Sequence, residues 1–184
     1  MSFAVEPLAI AEVKLVRGMR RTDGRGWFAE TYRRDRFADL GIGAEFVQDN
    51  HSTSFAAGTL RGLHFQALPF AQAKLIRVIR GAIFDVVVDL RRSSPSFGKW
   101  VGVRLDEERA DQLYVPRGFA HGFCTEAPDT QVAYKCDAYY AAGSERGIRF
   151  SDPDLGIAWP REPAVVLERD RQWPLFRDID SPFD

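Results

Sequence analysis

The sequence predicts a mainly β fold, a sandwich or barrel, and three observations carry that reading. Short runs rich in β-branched and aromatic residues recur along the whole chain. Gly, Pro, Asp and Ser separate them at regular spacing. No alternation of strand-like with helix-like segments occurs, so a parallel Rossmann sheet is not expected.

The expected strands lie at 13–16, 27–32, 46–52, 59–66, 74–80, 82–90, 99–105, 112–115, 120–125, 131–136 and 148–150. The segment 74–90 reads as a hairpin turning at Arg80-Gly81. Residues 35–40 suit a short helix, with Asp35 as N-cap and Gly41 near its end. Beyond Pro160 the chain is charged and dotted with proline, and no element is assigned there. No repeat or linker divides residues 1–184, so one domain is expected.

Charge narrows the function. Lys and Arg number 25 against 26 Asp and Glu, for a net charge of -1. That balance argues against a nucleic-acid binder with a bulk basic surface, and leaves room for a small anionic ligand held by a few cations. The start, MSFAVEPLAI, carries Glu6 and no basic lead into an apolar run, so no secretory leader is expected. The most apolar stretch, 76–90, is interrupted by Arg77, Arg80, Asp85 and Asp89 and falls short of a span of ~20 apolar residues. A cytoplasmic protein off the membrane is expected. Cys124 and Cys136 form neither a C-x-x-C pair nor a zinc spacing. They read as buried free thiols rather than a disulfide between neighbouring strands. G-x-G-x-x-G and Walker motifs are absent.

Chemistry concentrates around two histidines. His64 lies in GTLRGLHFQ, which starts at Gly58, and His121 lies in PRGFAH, which starts at Pro116. His51, beside Ser52 and Thr53, suits a solvated segment. If the strand stays regular, Tyr134 and Tyr140 share one face; for a tyrosine pair alone, core packing is the better reading. Phe119, His121 and Phe123 share another face. Phe46, Gln48 and Asn50 also share one, which is either a solvent face or a polar pocket. Arg61, Lys74, Arg77 and Arg80 gather on neighbouring strands, as solvated charge or as a diphosphate site.

The two histidine segments resemble the two motifs of the cupin jelly-roll superfamily. Metal-holding cupins supply two His and a Glu from the first motif and one His from the second. Here Gln66 stands at the second His position, and Phe70 and Ala71 stand where the Glu is expected. Two imidazoles without a carboxylate make a poor divalent-metal site. The histidines are instead free for acid–base work, and neither metal nor redox cofactor is expected.

Seven segments in order resemble the dTDP-4-dehydrorhamnose 3,5-epimerase family. They are DGRGWFAETY from Asp23, QDNHSTS from Gln48, GTLRGLHFQ from Gly58, AKLIRVIRGAIFDVVVDLRRSSPSFGKW from Ala73, VPRGFAHGF from Val115, YKCDAYY from Tyr134 and DPDLGIAWP from Asp152. The resemblance implies a jelly-roll barrel, usually a homodimer. It implies epimerisation at C3 and C5 of a dTDP-linked 4-keto-6-deoxyhexose, by proton removal beside the ketone. His64 matches the general base and Asp170 the carboxylate that orients it. Lys74 matches the cation near the keto oxygen, and Tyr134 the acid that returns a proton on the opposite face. His121 and Tyr140 match further pocket residues, and Arg61 a group near the diphosphate. Arg25, Phe28, Glu30, Gln48 and Asn50 match the nucleotide-binding side, reached partly from the partner subunit. Around Asp170 the family usually has Ser and Lys where Glu168 and Arg169 stand.

The alternative is an epimerase that inverts one carbon only, or acts on a related nucleotide sugar. A metal-dependent cupin oxygenase or isomerase is disfavoured by the missing Glu and second His. A non-catalytic sugar-binding module is disfavoured by His64, Lys74, Tyr134 and Asp170 together.

Overall fold

Alternation along the strands builds two antiparallel sheets that close on each other, as a cupin jelly roll requires. The computed structural model describes residues 3–184. In chain order the elements are β1 Ala4–Pro7, β2 Lys14–Arg17, β3 Arg21–Asp23, β4 Gly26–Phe28, helix α1 Arg34–Asp39, β5 Gln48–Ser54, β6 Thr59–Gln66 and β7 Lys74–Arg80. They continue with β8 Ala82–Asp89, β9 Trp100–Asp106, β10 Gln112–Val115, β11 Phe119–Thr125, β12 Thr130–Cys136, β13 Glu145–Gly147, β14 Val165–Val166 and helix α2 Glu168–Gln172. One sheet runs β1-β2-β10-β7-β12-β5 and the other β13-β6-β11-β8-β9, with β14 added in parallel to β6. None of the described helices is long and apolar enough to cross a membrane.

The core follows from strand parity. Ile76, Val78, Ile83, Val87, Leu113, Phe119, Phe123 and Val132 meet between the sheets. Full burial of each such side chain is worth ~1.5–3 kcal/mol. Residues of the opposite parity on β8, Val86 and Val88, pack outward with Leu63, Phe65, Ile148 and Leu155. The chain after Pro160 covers this outer face: Phe176, Ile179 and Phe183 seal it. Phe37 of α1 packs with Val16, Ile42 and Leu75 on the outside of the first sheet.

Several expectations need correction. The segment 74–90 is not a hairpin. β7 pairs with β10 and β12, whereas β8 pairs with β11 and β9, so Gly81 turns the chain from one sheet to the other. Its φ of +79° explains the glycine. The expected strand 27–32 stops at Phe28, as part of a small ribbon with β3. Asp35 is not the N-cap; Arg33 holds that position, and Asp35 lies in the first turn, accepting from the Arg33 guanidinium. The strand expected at 148–150 lies at Glu145–Gly147, although Ile148 still exchanges backbone hydrogen bonds with Leu63. Phe46 packs on Tyr32 rather than sharing the face of Gln48 and Asn50. β12 ends at Cys136, so Tyr134 and Tyr140 do not lie on one regular strand. Both cysteines are buried and free.

One close approach sets the register that the site uses. β6 and β11 touch at Gly62 and Gly122, where a Cβ on Gly122 would lie 2.8 Å from the Gly62 Cα and 2.8 Å from the Arg61 carbonyl oxygen. The pairing slips at this point, so that His64 faces His121 on one side of the bulge and Arg61 faces Phe123 on the other. That slip lets Arg61 and His64, three residues apart, line the same cavity. Gly122→Ala is therefore expected to destabilise the protein by about 1–3 kcal/mol, read from urea unfolding. Wild-type stability in that variant would contradict the packing account.

Candidate active site

The end of the barrel interior near His64 is polar. Two adjoining cavities of about 210 and 180 Å³ share His64, Lys74, Tyr134 and Glu145. The first is completed by Gln48, Asn50, Phe65, Gln66, Gln72, Cys136 and Tyr140. The second is completed chiefly by Arg61, His121, Phe123, Leu167, Arg169 and Asp170.

Two histidine–carboxylate pairs stand side by side, on neighbouring strands. His64 Nε2 lies 2.8 Å from Asp170 Oδ1, and His121 Nε2 lies 2.6 Å from Asp85 Oδ1. Asp170, on α2, is 1% exposed, and both of its oxygens have hydrogen-bond partners. Its Oδ2 accepts from the Gly62 amide at 3.3 Å and its Oδ1 from the Trp173 indole at 3.3 Å. Trp173 also stands edge-on to the His64 ring. Asp85 is fully buried, and its Oδ2 has no hydrogen-bond partner among the described residues.

Burial tends to raise the Asp170 carboxyl, but the bond to His64, its charge, the Gly62 amide and Arg169 outweigh it and hold the group below its ordinary value. Burial lowers the Lys74 ammonium, while nearby Cys136, Asp85 and Glu145 oppose that shift. Burial raises the Tyr134 phenol, so it keeps its proton through the neutral range. It raises the Cys136 thiol likewise, with nearby Lys74 opposing the shift. The bond to Glu145 raises Tyr140.

Of the sequence-predicted residues, His64, Lys74, Tyr134, Asp170, Gln48, Asn50, Arg61, His121 and Tyr140 line the two cavities. Gln48 and Asn50 thus belong to a polar pocket, not a solvent face. Arg25, Phe28 and Glu30 do not line these cavities. Arg25 and Phe28 project into solvent on the β3–β4 ribbon, where Arg25 pairs with Asp23; Glu30 pairs with Arg36. The basic cluster also divides. Arg61 and Lys74 face the cavities, but Arg77 lines a groove on the outer face of β5, β7 and β12, and Arg80 is exposed at the end of β7. His51 is exposed, as its neighbours imply. Among the described residues, no three His, Cys, Asp or Glu side chains are grouped to hold a metal.

Sequence reasoning missed Asp85, Glu145 and Trp173. Asp85 did leave a signal: a carboxylate at an inward position in the apolar run 82–88. Glu145 left none, because its place follows from β13 pairing with β6 opposite Gln66. Its carboxylate receives the Tyr140 hydroxyl at 2.9 Å and a bidentate Arg169.

Because Asp170 is held below its ordinary value of 3.8, its stabilising contribution is present above that value and lost as pH falls through the folded one. The gap in unfolding free energy between the protein and Asp170→Asn should narrow as pH falls below 3.8. A gap that widens there would show that the ionised carboxylate is not what stabilises the fold.

Comparison with known proteins places this chain in a family. Residues 7–178 match the sequence profile described as dTDP-4-dehydrorhamnose 3,5-epimerase. A dTDP-4-dehydrorhamnose 3,5-epimerase of Sinorhizobium fredii is 48% identical over 183 residues, spanning 97% of this chain and 92% of the relative. The crystal structure of a dTDP-4-dehydrorhamnose 3,5-epimerase from Bacillus anthracis, with TDP and PPi bound, aligns with a TM-score of 0.92 at 46% identity, covering 95% of this chain and 99% of that one. A dTDP-6-deoxy-D-glucose-3,5-epimerase from Legionella pneumophila, in complex with dTDP-4-keto-L-rhamnose, aligns with a TM-score of 0.92 at 42% identity, covering 97% and 95%. The chain belongs to the dTDP-4-dehydrorhamnose 3,5-epimerase family.

Proposed function

We propose that the protein epimerises dTDP-4-dehydro-6-deoxy-D-glucose at C3 and C5 to dTDP-4-dehydro-L-rhamnose, in the cytoplasm and as a homodimer. The observation that carries the reading is the His64–Asp170 pair opening on a cavity that also presents Lys74 and Tyr134. A carbon beside a ketone is a weak acid, and its conjugate base is an enolate with charge on oxygen. The step needs a base held in one tautomer, a cation at the oxygen and a second proton donor.

His64 removes the ring proton. Asp170 receives Nε2–H, which fixes the tautomer with Nδ1 unprotonated and able to act as base. Lys74 faces the developing oxyanion. It lines both cavities, where Asp85 and Glu145 oppose the burial that lowers its ammonium. Tyr134, kept protonated by burial, donates to the opposite face of the ring. The proton removed and the proton returned balance, so the reaction is an isomerisation with no redox partner.

Arg61 supplies a guanidinium for the diphosphate. It is held by Ser54 Oγ at 3.2 Å and the Thr53 carbonyl at 3.0 Å. Gln48 and Asn50 take the nucleotide side of the cavity, and His121 and Tyr140 complete its wall. Arg25, Phe28 and Glu30 lie outside this chain's cavities; in this reading they complete the partner's nucleotide site.

Incubation of the 4-keto-6-deoxy substrate in deuterated water tests the scheme. Label at both C3 and C5 is expected; label at one carbon alone would assign a single-carbon epimerase. His64→Asn should lose epimerisation and deuterium uptake together, by about 10²–10⁴-fold or more. Tyr134→Phe should still take up deuterium with retained configuration, while inversion slows. Normal inversion by Tyr134→Phe alongside failure of Tyr140→Phe would reassign the acid. Mixing Arg25→Ala with His64→Asn subunits should restore some turnover if sites are shared; none after verified exchange would remove the partner from the site.

A further inference from the structure

The segment 138–141 leaves β12 and carries Tyr140 to the first cavity, yet no strand partner holds it. Three glutamine side chains do so instead. Gln72 Nε2 donates to the Ala138 carbonyl at 2.7 Å. Gln66 Nε2 donates to the Tyr139 carbonyl at 3.3 Å, and Gln66 Oε1 accepts from the Ala141 amide at 2.6 Å. Gln48 Oε1 accepts from the Tyr140 amide at 2.9 Å. Successive backbone groups from residue 138 to residue 141 are thereby satisfied by side-chain amides from three different places in the fold.

Gln66 is the centre of this arrangement. It is 5% exposed, and its amide uses both ends. Besides the two bonds to 139 and 141, Nε2 donates to the Phe70 carbonyl at 2.8 Å, tying down the turn that follows β6. Two carbonyls on Nε2 and one N–H on Oε1 leave a single possible orientation of the amide. A buried amide satisfied at both ends is rigid, and loss of one end leaves groups that water reaches poorly. Gln66 stands where a metal-holding cupin has its second His. At that position the barrel is cross-linked by hydrogen bonds through an uncharged side chain.

We propose that Gln66 and Gln72 are positioning residues for ligand binding. By fixing the 138–141 segment they hold Tyr140, and with it Glu145, as a preformed wall of the cavity that Gln48 and Asn50 line. The inference rests on reading that cavity as the nucleotide-sugar site. The wall carries no proton to or from the sugar in that reading, so the clamp governs how tightly the ligand is held and leaves the chemical step to His64 and Tyr134.

Two readouts on Gln66→Leu and Gln72→Leu test this. In the free proteins, hydrogen exchange at the Tyr140 and Ala141 amides should accelerate relative to wild type. In steady-state turnover of the 4-keto-6-deoxy substrate, KM should rise about 3- to 10-fold with kcat within about twofold. Faster exchange with an unchanged KM overturns the proposal, because the wall is then not part of ligand binding. Unchanged exchange overturns it too, because the amides are then not what holds the segment. A fall in kcat at constant KM overturns it in favour of a role in the chemical step. Should Gln66→Leu fail to fold, Gln72→Leu removes one bond from a half-buried side chain and is read by the same criteria. Absence of turnover by the wild-type protein would sink the functional reading itself, and the exchange measurement would still judge the clamp.

Discussion

A carboxylate buried to 1% exposure is tolerable only with its oxygens satisfied, and Asp170 draws its partners from β6 and from its own C-terminal segment. His64 comes from β6, the Gly62 amide from the bulge two residues earlier, and Trp173 from the turn after α2. That requirement ties the C-terminal segment to the barrel. α2 has five residues and no side-chain cap, so it does not persist on its own propensity. It is held because its one buried residue, Asp170, bonds back to β6 at His64 and Gly62. Phe176, Ile179 and Phe183, which follow α2, pack over the outer face of β6, β8 and β11.

The same economy explains which parts of the fold were legible. The strands at 59–66, 74–80 and 112–115 are read with their observed bounds, because β-branched content and alternation are local properties. Pairing is not local. Arg80-Gly81 has the chemistry of a hairpin turn, and the chain does turn there, but whether the next strand returns beside β7 or crosses to the facing sheet depends on burial elsewhere. Each face of β8 is buried, with Ile83 and Val87 inward and Val86 and Val88 outward. Such a strand belongs inside a sheet covered on both sides, which is where it lies.

The site was legible to the extent that its residues sit in dense motifs. His64, Arg61 and Gln66 come from one nine-residue segment, and Tyr134 and Cys136 from another. Asp170 was reached only through family likeness, because Val165 to Asp170 has neither the alternation nor the capping signals that place a side chain. Glu145 had no local signal at all. Its position depends on β13 pairing with β6, so it becomes visible only once the register Glu145–Gln66 is known.

The two histidine–carboxylate pairs look alike in composition and differ in how their carboxylates are satisfied. Asp170 has hydrogen-bond partners on both oxygens, one of them the ring it holds. Asp85 gives one oxygen to His121 and keeps the other without a hydrogen-bond partner in a fully buried setting, near enough to Lys74 for its charge to act there. A bare buried oxygen is costly unless a positive field meets it. Lys74 supplies such a field, and Asp85 in turn counters the burial that pushes the ammonium toward its neutral form. In the proposed reaction the first pair fixes the tautomer of its histidine, while the second places a carboxylate that opposes the loss of charge from Lys74. The proposed chemistry, which takes up a proton and meets an oxyanion in one cavity, draws on both effects, and the barrel supplies them by placing one carboxylate behind each histidine.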